Sequence, residues 1–313
     1  MLDLENFKLL SEEEKVKEIE KELEDEDWEV RRAAMRQVQY LNNDEDKVRF
    51  IEKGLKDENY DVREAAIVRV QYLNNDEDKV KLIEKGLEDK YRDIRKKAMG
   101  QVEYLNNDEN KIKLIEKGLK NEDKDVRRGA MQQVQYLNNN EDIVKFIEKG
   151  LGDKDWFVRA TAMWRVQNLN NDEDKVRLIE KGLEDEYGYV RETAMRQIQF
   201  LNNDEDKVKL IEKGLKDEVW EVRWEAIRQI KNLNNEEDKK RLNEYINSDI
   251  YRVELIEKGL EDKDYNVCKE AIKQVQHLNN DENKKQLNEY INSDMYRVKL
   301  IEKGLEKKIF WCI

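Results

Sequence analysis

Tryptophan, tyrosine and basic residues recur four apart along this chain. The pattern opens with Trp28, Arg32, Arg36 and Tyr40, and returns as Tyr60-Glu64-Val68-Tyr72 and Arg92-Lys96-Gly100-Tyr104. It continues as Lys124-Arg128-Gln132-Tyr136, Trp156-Ala160-Trp164-Asn168, Gly188-Glu192-Arg196-Phe200, Trp220-Trp224-Arg228-Asn232 and Tyr265-Lys269-Lys273-His277. Residues four apart share one side of a helix, so each set is a ridge. The chemistry is that of recognition. Aromatic rings supply buried area, guanidinium groups pair with carboxylate or phosphate, and Trp, Tyr and Arg dominate binding hot spots. The expected binding residues are Trp28, Arg32, Arg36, Tyr60, Lys96, Arg128, Trp156, Trp164, Arg196, Trp220, Trp224 and Arg228. The ridge carries ten Lys or Arg against two acids, Glu64 and Glu192, a balance of +8 on a chain of net charge −13. Glu29, Asp61, Asp93, Asp125 and Glu221 flank it and temper that charge along one edge.

Other chemistry has little to work with. His277 is the only histidine, which excludes a multi-histidine metal site, and Cys268 has no matched ligand set. Neither G-x-x-x-x-G-K-[ST] nor G-x-G-x-x-G occurs. No cofactor and no metal is expected.

Bulk composition narrows the class. Charged residues make up 42% and apolar residues 38% of 313 positions. So polar a chain could be disordered, but its apolar residues keep a strict spacing, which argues for a folded amphipathic array. The acidic balance argues against non-specific coating of DNA or an anionic membrane. Proline is absent, which suits an all-helical chain and is equally explained by AT-rich coding. Two cysteines, Cys268 and Cys312, cannot build a disulfide framework and fit a reducing, cytoplasmic setting. The N-terminal MLDLENFKLLSEEEKV is neither signal peptide nor membrane span, and the terminal IFWCI is far too short to cross a bilayer.

A repeat positions the ridge. Leu-Asn-Asn begins at Leu41, Leu73, Leu105, Leu137, Leu169, Leu201 and Leu233, each 32 residues after the last, and again 45 residues on at Leu278. Ile-Glu-Lys-Gly-Leu recurs in step from Ile51 to Ile301. A period of this size marks a solenoid. Each unit reads as two helices. The first covers residues 44–55, with Asp44 as N-cap and Val48, Ile51 and Leu55 on one apolar face. Gly54 returns in every copy. Glycine costs about 1 kcal/mol inside a helix, so its repetition implies a neighbouring helix too close for a Cβ. The second helix runs from Trp28 to Tyr40 and buries Val30, Ala34, Val38 and Leu41. Asn42 and Asn43 are expected to form a left-handed cap and turn. Gln39, Gln71, Gln135, Gln167, Gln199 and Gln276 border the buried face and are expected to bridge adjacent units.

The whole chain, 1–313, reads as one domain. Residues 1–26 form a cap and first helix, with Ser11 and Glu14 as a capping box and Glu18 and Glu22 on a polar outer face. Regular repeats fill 27–233. Two longer repeats fill 234–305, carrying KKRLNEYINSD or KKQLNEYINSD inserts whose apolar face predicts an extra turn or short helix. Residues 306–313 are an apolar tail expected to cover the end of the stack, with dimerisation as the alternative.

The second helices carry DWEVRRAA, NYDVREAA, RDIRKKA, KDVRRGA, WFVRATA, GYVRETA and WEVRWEA, and a decayed YNVCKEA. This D-x-x-V-R-x-x-A pattern resembles HEAT repeats, in the short form seen in bilin-lyase-type HEAT-like repeats, over about residues 12 to 305. The helix-starting proline common in such repeats is missing, and Cys268 replaces the repeated Arg. The resemblance implies an all-α, right-handed α-solenoid of antiparallel helix pairs whose second helices line a concave groove. With helices ~8–10 Å apart, the groove would run on the order of 80 Å. It also implies that the repeated Arg ties neighbouring units together.

The expected function is a non-enzymatic scaffold, acting as a monomer, that holds a protein or peptide segment, acidic or extended. The alternative is a nucleic acid or nucleotide in the same groove, phosphates on Arg and Lys and bases stacked on Trp and Tyr. A third reading follows from resemblance to HEAT-like DNA-base glycosylases, which need a carboxylate among aromatics. Glu192, between Trp164 and Trp224 and near Glu225, is the candidate there. Bilin lyase activity is less favoured, since only the generic repeat is shared.

Overall fold

A computed structural model describes residues 4–261 and 265–302. The chain is all-α, and among the described residues there is no strand. Each repeat is a pair of antiparallel helices, and the packing divides the chain into two compact units, Met1–Phe200 and Leu201–Ile313.

In the first unit the helix pair is built as expected, with corrections at its ends. Helix Asp44–Gly54 is capped by Asn43, whose side chain accepts the Glu45 N–H at 3.0 Å. Asp44 is therefore the first helical residue, not the cap. Its carboxylate instead accepts the N–H of Asn74, one repeat on, at 2.6 Å. Asp76 with Asn106 (2.7 Å) and Asp108 with Asn138 (2.9 Å) repeat the contact. The Leu-Asn-Asn turn is not left-handed either. Leu41 (φ −77°, ψ 148°) and Asn43 (φ −86°, ψ 124°) are extended, because a 3-10 turn, Val38–Tyr40, delivers the chain straight into the next helix start. Both asparagines serve structure, the first held by the previous repeat and the second as N-cap.

The second helix, Trp28–Gln37, starts from Asp27, which accepts the Glu29 N–H at 2.9 Å. Its inner face, Ala34, Met35 and Val38, is fully buried. On the first helix the buried centre is Phe50 and Ile51, while Val48 and Leu55 are only half-buried. The repeated glycine does admit a close neighbour. A Cβ on Gly54 would stand 2.1 Å from Met35 Sδ and 2.8 Å from the Ala66 Cβ. On Gly86 it would stand 2.6 Å from Ile67 Cδ1.

Three polar contacts recur along the array. Arg31 donates through Nε to Asp57 at 2.7 Å while its Nη1 donates to the Asp25 and Glu26 carbonyls. Arg63 with Asp89, Arg127 with Asp153 and Arg159 with Asp185 do the same. These pairs are largely buried, so each is a fully committed ion pair. Lys47, buried, donates to the Tyr72 carbonyl at 3.0 Å, as Lys79 does to Tyr104 and Lys111 to Tyr136. The Asp-to-Asn contact above is the third.

The N-terminal helix Glu12–Glu22 carries the expected capping box at Ser11 and Glu14. Glu22, however, is buried rather than on a polar outer face, because it occupies the glycine register that faces a neighbouring helix. The apolar tail lies outside the described residues.

In the second unit the insert, expected as an extra turn or a short helix, becomes a helix of its own, Glu236–Asn247. Ser248 breaks it (ψ 153°) and caps the next helix, Asp249–Leu260, by accepting the Tyr251 N–H. Asp249 then takes the role of Asp44, accepting the Asn279 N–H at 2.8 Å. The second insert forms helix Asp281–Ile291 in the same way.

Candidate binding surfaces

In the first unit the ridge residues stand on the second helices and are at least partly exposed, with one dip: Ala160 is only 3% exposed. Trp28, Arg32, Tyr60, Lys96, Arg128, Trp156, Trp164 and Arg196 are half-buried and Arg36 is exposed. They gather into local clusters. The Arg196 guanidinium lies 6.0 Å from the Trp164 ring centre and also pairs with Glu192. Glu192, the carboxylate considered for base chemistry, is thus the counter-ion of a ridge arginine. Tyr60 and Lys96 line a hollow of about 390 Å³ with Glu64, Asp93 and Lys97.

Trp156 packs against other rings. It lies flat on Tyr187 (5.6 Å, 9° between planes) and meets Phe157 and Tyr189 edge-on at 4.7 and 5.5 Å. Arg128 stands 4.8 Å from the Phe157 ring. Phe157, Tyr187 and Tyr189 carry the exposure of this cluster, and Tyr187 and Tyr189 were not among the expected site residues. A readable signal was there: Tyr91 and Tyr187 sit where Asp27, Asn59, Asp123 and Asp155 are N-caps, and neither tyrosine makes a side-chain cap bond.

The ridge cations of this unit are largely neutralised. Arg92 and Arg128 pair with Asp125, and Lys124 pairs with Asp155. Burial would raise the Asp155 carboxyl, but the Phe157 N–H and Lys124 outweigh it and hold it below the usual range. Among the described residues Arg32, Arg36 and Lys96 are the ridge cations here that make no ion pair. Two of the repeated glutamines bridge repeats as expected, Gln39 accepting from Arg69 and Gln135 from Arg165. Gln71 and Gln199 instead donate to carbonyls of their own repeat. Burial pushes the Arg69 and Arg165 guanidinium groups down, a consequence of that inward position.

The second unit is different. Trp220 and Trp224 are 61% and 56% exposed. Arg228 is exposed and pairs with Glu225, which is buried and also accepts from Gln229. Beside Trp220 opens a cleft of about 700 Å³, walled by helices Trp220–Gln229, Asp249–Leu260 and Tyr265–Gln274. Leu255 and Ile256 floor it, with Arg223, Arg252, Lys258, Glu218 and Glu270 around them, and His277 borders it. Of these only Trp220 was expected from its residue type. The 13-residue insert just ahead of helix Asp249–Leu260 was the available signal for the rest.

No helix among the described residues is long and apolar enough to cross a membrane. The family model for HEAT repeats matches residues 16–102, 112–199 and 176–254. No curated protein matches. Solved structures similar to the chain include the Escherichia coli protein YibA (16% identity, 87% of this chain and 94% of that one, TM-score 0.48). An engineered protein is also similar (18% identity, 69% and 95% covered, TM-score 0.36). Because the HEAT-repeat model spans most of the chain and the helix pairs follow it, the chain belongs to the HEAT-repeat family.

Proposed function

We propose that this HEAT-repeat chain is a non-enzymatic, monomeric, cytoplasmic scaffold that recognises a protein or peptide segment through the aromatic and basic residues of its second helices. The observation that carries the reading is the exposure of Trp220 and Trp224 on one helix face. Two large rings left in water on adjacent turns cost solubility unless a partner covers them. The clusters around Trp164 and Trp156 offer smaller anchors of the same kind. The pairing of Arg92, Lys124 and Arg128 with acids favours a protein over a nucleic acid, since phosphate binding draws on cations free to release counter-ions. Glu192 and Glu225, each held by an arginine, favour binding over base chemistry.

The test is a titration with labelled single- and double-stranded oligonucleotides at low and physiological salt, beside a Trp164→Ala/Trp224→Ala variant. No binding at low salt is expected. Salt-sensitive binding that the variant loses would overturn the protein reading in favour of nucleic acid.

A further inference from the structure

The cleft of the second unit is a repeat interface left open. In the regular repeats the positions of Phe50, Gly54 and Lys47 are buried. Phe50, Leu82, Leu114, Phe146, Leu178 and Leu210 are at most 1% exposed. In the repeat that follows the first insert the same register holds Leu255, Gly259 and Arg252, and all three are half-exposed along the cleft. Trp220 and Ala271 complete its apolar wall.

Three cations, Arg223, Arg252 and Lys258, and two carboxylates, Glu218 and Glu270, surround that floor, so its charge balance is positive. In the first unit Arg31, Arg63, Arg127 and Arg159 each hold an aspartate through Nε. Arg223 has the same register, and it keeps the two backbone contacts, to the Asp217 and Glu218 carbonyls at 2.8 Å. Among the described residues it has no carboxylate partner; Asp262, in the register of Asp57, lies outside them. Lys258 takes the register of Lys53, Lys85 and Lys117, which pair with Glu24, Glu52 and Glu88. Lys258 instead donates to the Lys216 carbonyl, and burial together with the nearby Arg223 charge lowers its pKa. Arg252 reaches Asp249 only at 3.9 Å. A carboxylate entering here would meet a guanidinium edge that binds carboxylate throughout the first unit.

We infer that this cleft docks an extended acidic segment of a partner protein, seating one apolar side chain on Leu255 and Ile256 beside Trp220 and a neighbouring carboxylate on Arg223. The inference rests on the scaffold reading and sharpens it to one site and one ligand chemistry.

The experiment is to pan a displayed random peptide library on the full chain, then measure the enriched peptides by fluorescence anisotropy against Trp220→Ala, Arg223→Gln, Leu255→Asp and Trp164→Ala. All four positions are at least partly exposed, and circular dichroism confirms folding. The enriched peptides should place Asp or Glu beside a large apolar residue. Trp220→Ala and Leu255→Asp should weaken them roughly thirtyfold, the effect of a hot-spot residue. Arg223→Gln should weaken acidic peptides but not their Asp-to-Asn versions, a distinction that loss of packing alone would not produce. Enrichment of basic or uncharged sequences, or equal binding by the cleft variants, overturns the inference. Peptides lost only in Trp164→Ala overturn it while preserving the scaffold reading, and no enrichment at all defeats both.

Discussion

The first unit and the first long repeat use one packing scheme to opposite ends. Around Gly54 the scheme is closed. Met35 and Ala66 fill the space over the glycine, Phe50 is dry, Lys47 reaches the Tyr72 carbonyl of its own helix pair and Arg31 grips Asp57. Around Gly259 the same registers hold Leu255, Arg252 and Arg223, and each lines a cleft. The thirteen inserted residues form a separate helix, and beyond it the repeated registers line a cleft where, among the described residues, Arg223 has no carboxylate partner. A repeat array can therefore acquire a site by interruption: the same Arg that stabilises a closed interface becomes a carboxylate receptor at an open one.

Mutations at equivalent registers can break that comparison. The largest difference is expected at the motif arginine. Arg127→Ala removes one side of a buried ion pair and should cost about 3–5 kcal/mol in urea unfolding. Among the described residues Arg223 bonds to two carbonyls and to no carboxylate, so Arg223→Ala should cost about 1–2 kcal/mol. Equal losses would mean that the two arginines are equally engaged. The next difference is one of size. Gly86→Ala forces a methyl group against both Ile67 and Ala98 and should destabilise by about 1–3 kcal/mol. Gly259 lines the cleft, so Gly259→Ala should cost less. Equal losses at both glycines would mean that the cleft is closed in solution.

Legibility followed periodicity. The two-helix unit and the need for a glycine at Gly54 could be read from 32-residue recurrence, because a feature repeated eight times points to a packing rule, and the tie made by Arg31 from the resemblance to HEAT repeats. The helix starts were misread by one residue. Asn43 and Asp44 can each cap a helix, and only the inter-repeat bond from Asp44 to Asn74 separates their roles. The ridge was legible as a line of positions but not as clusters. Whether Trp156 faces water or lies on Tyr187 depends on a contact 31 residues away. The cleft was hidden because its residues, Leu255, Arg252 and Arg223, read as ordinary core and staple residues.

Smaller effects sharpen the account of the staples. Asn107→Ala removes an N-cap that accepts from Glu109 and should cost about 1 kcal/mol, whereas Tyr91→Asp should add a cap bond and gain a similar amount. The carboxylates that hold the Leu-Asn-Asn turns give the pH dependence. Burial would raise Asp108, but the Asn138 N–H and Lys111 hold it below its ordinary value. Asp44 and Asp204 are lowered in the same way. A depressed carboxyl stabilises the fold above its unfolded pKa, so this contribution is full above about pH 4 and is lost as pH falls further. Asp108→Asn should flatten the acid limb of the unfolding curve, and an unchanged limb would remove Asp108 from the account.

The most direct measurement is thiol labelling at equivalent registers, Leu255→Cys against Leu178→Cys, each in a chain with Cys268 and Cys312 replaced by Ala. An open interface predicts that Leu255→Cys reacts at the rate of an accessible thiol and slows when an enriched acidic peptide is added, while Leu178→Cys reacts only through unfolding. Equal protection at both positions in the free chain would contradict the open interface and the site built on it.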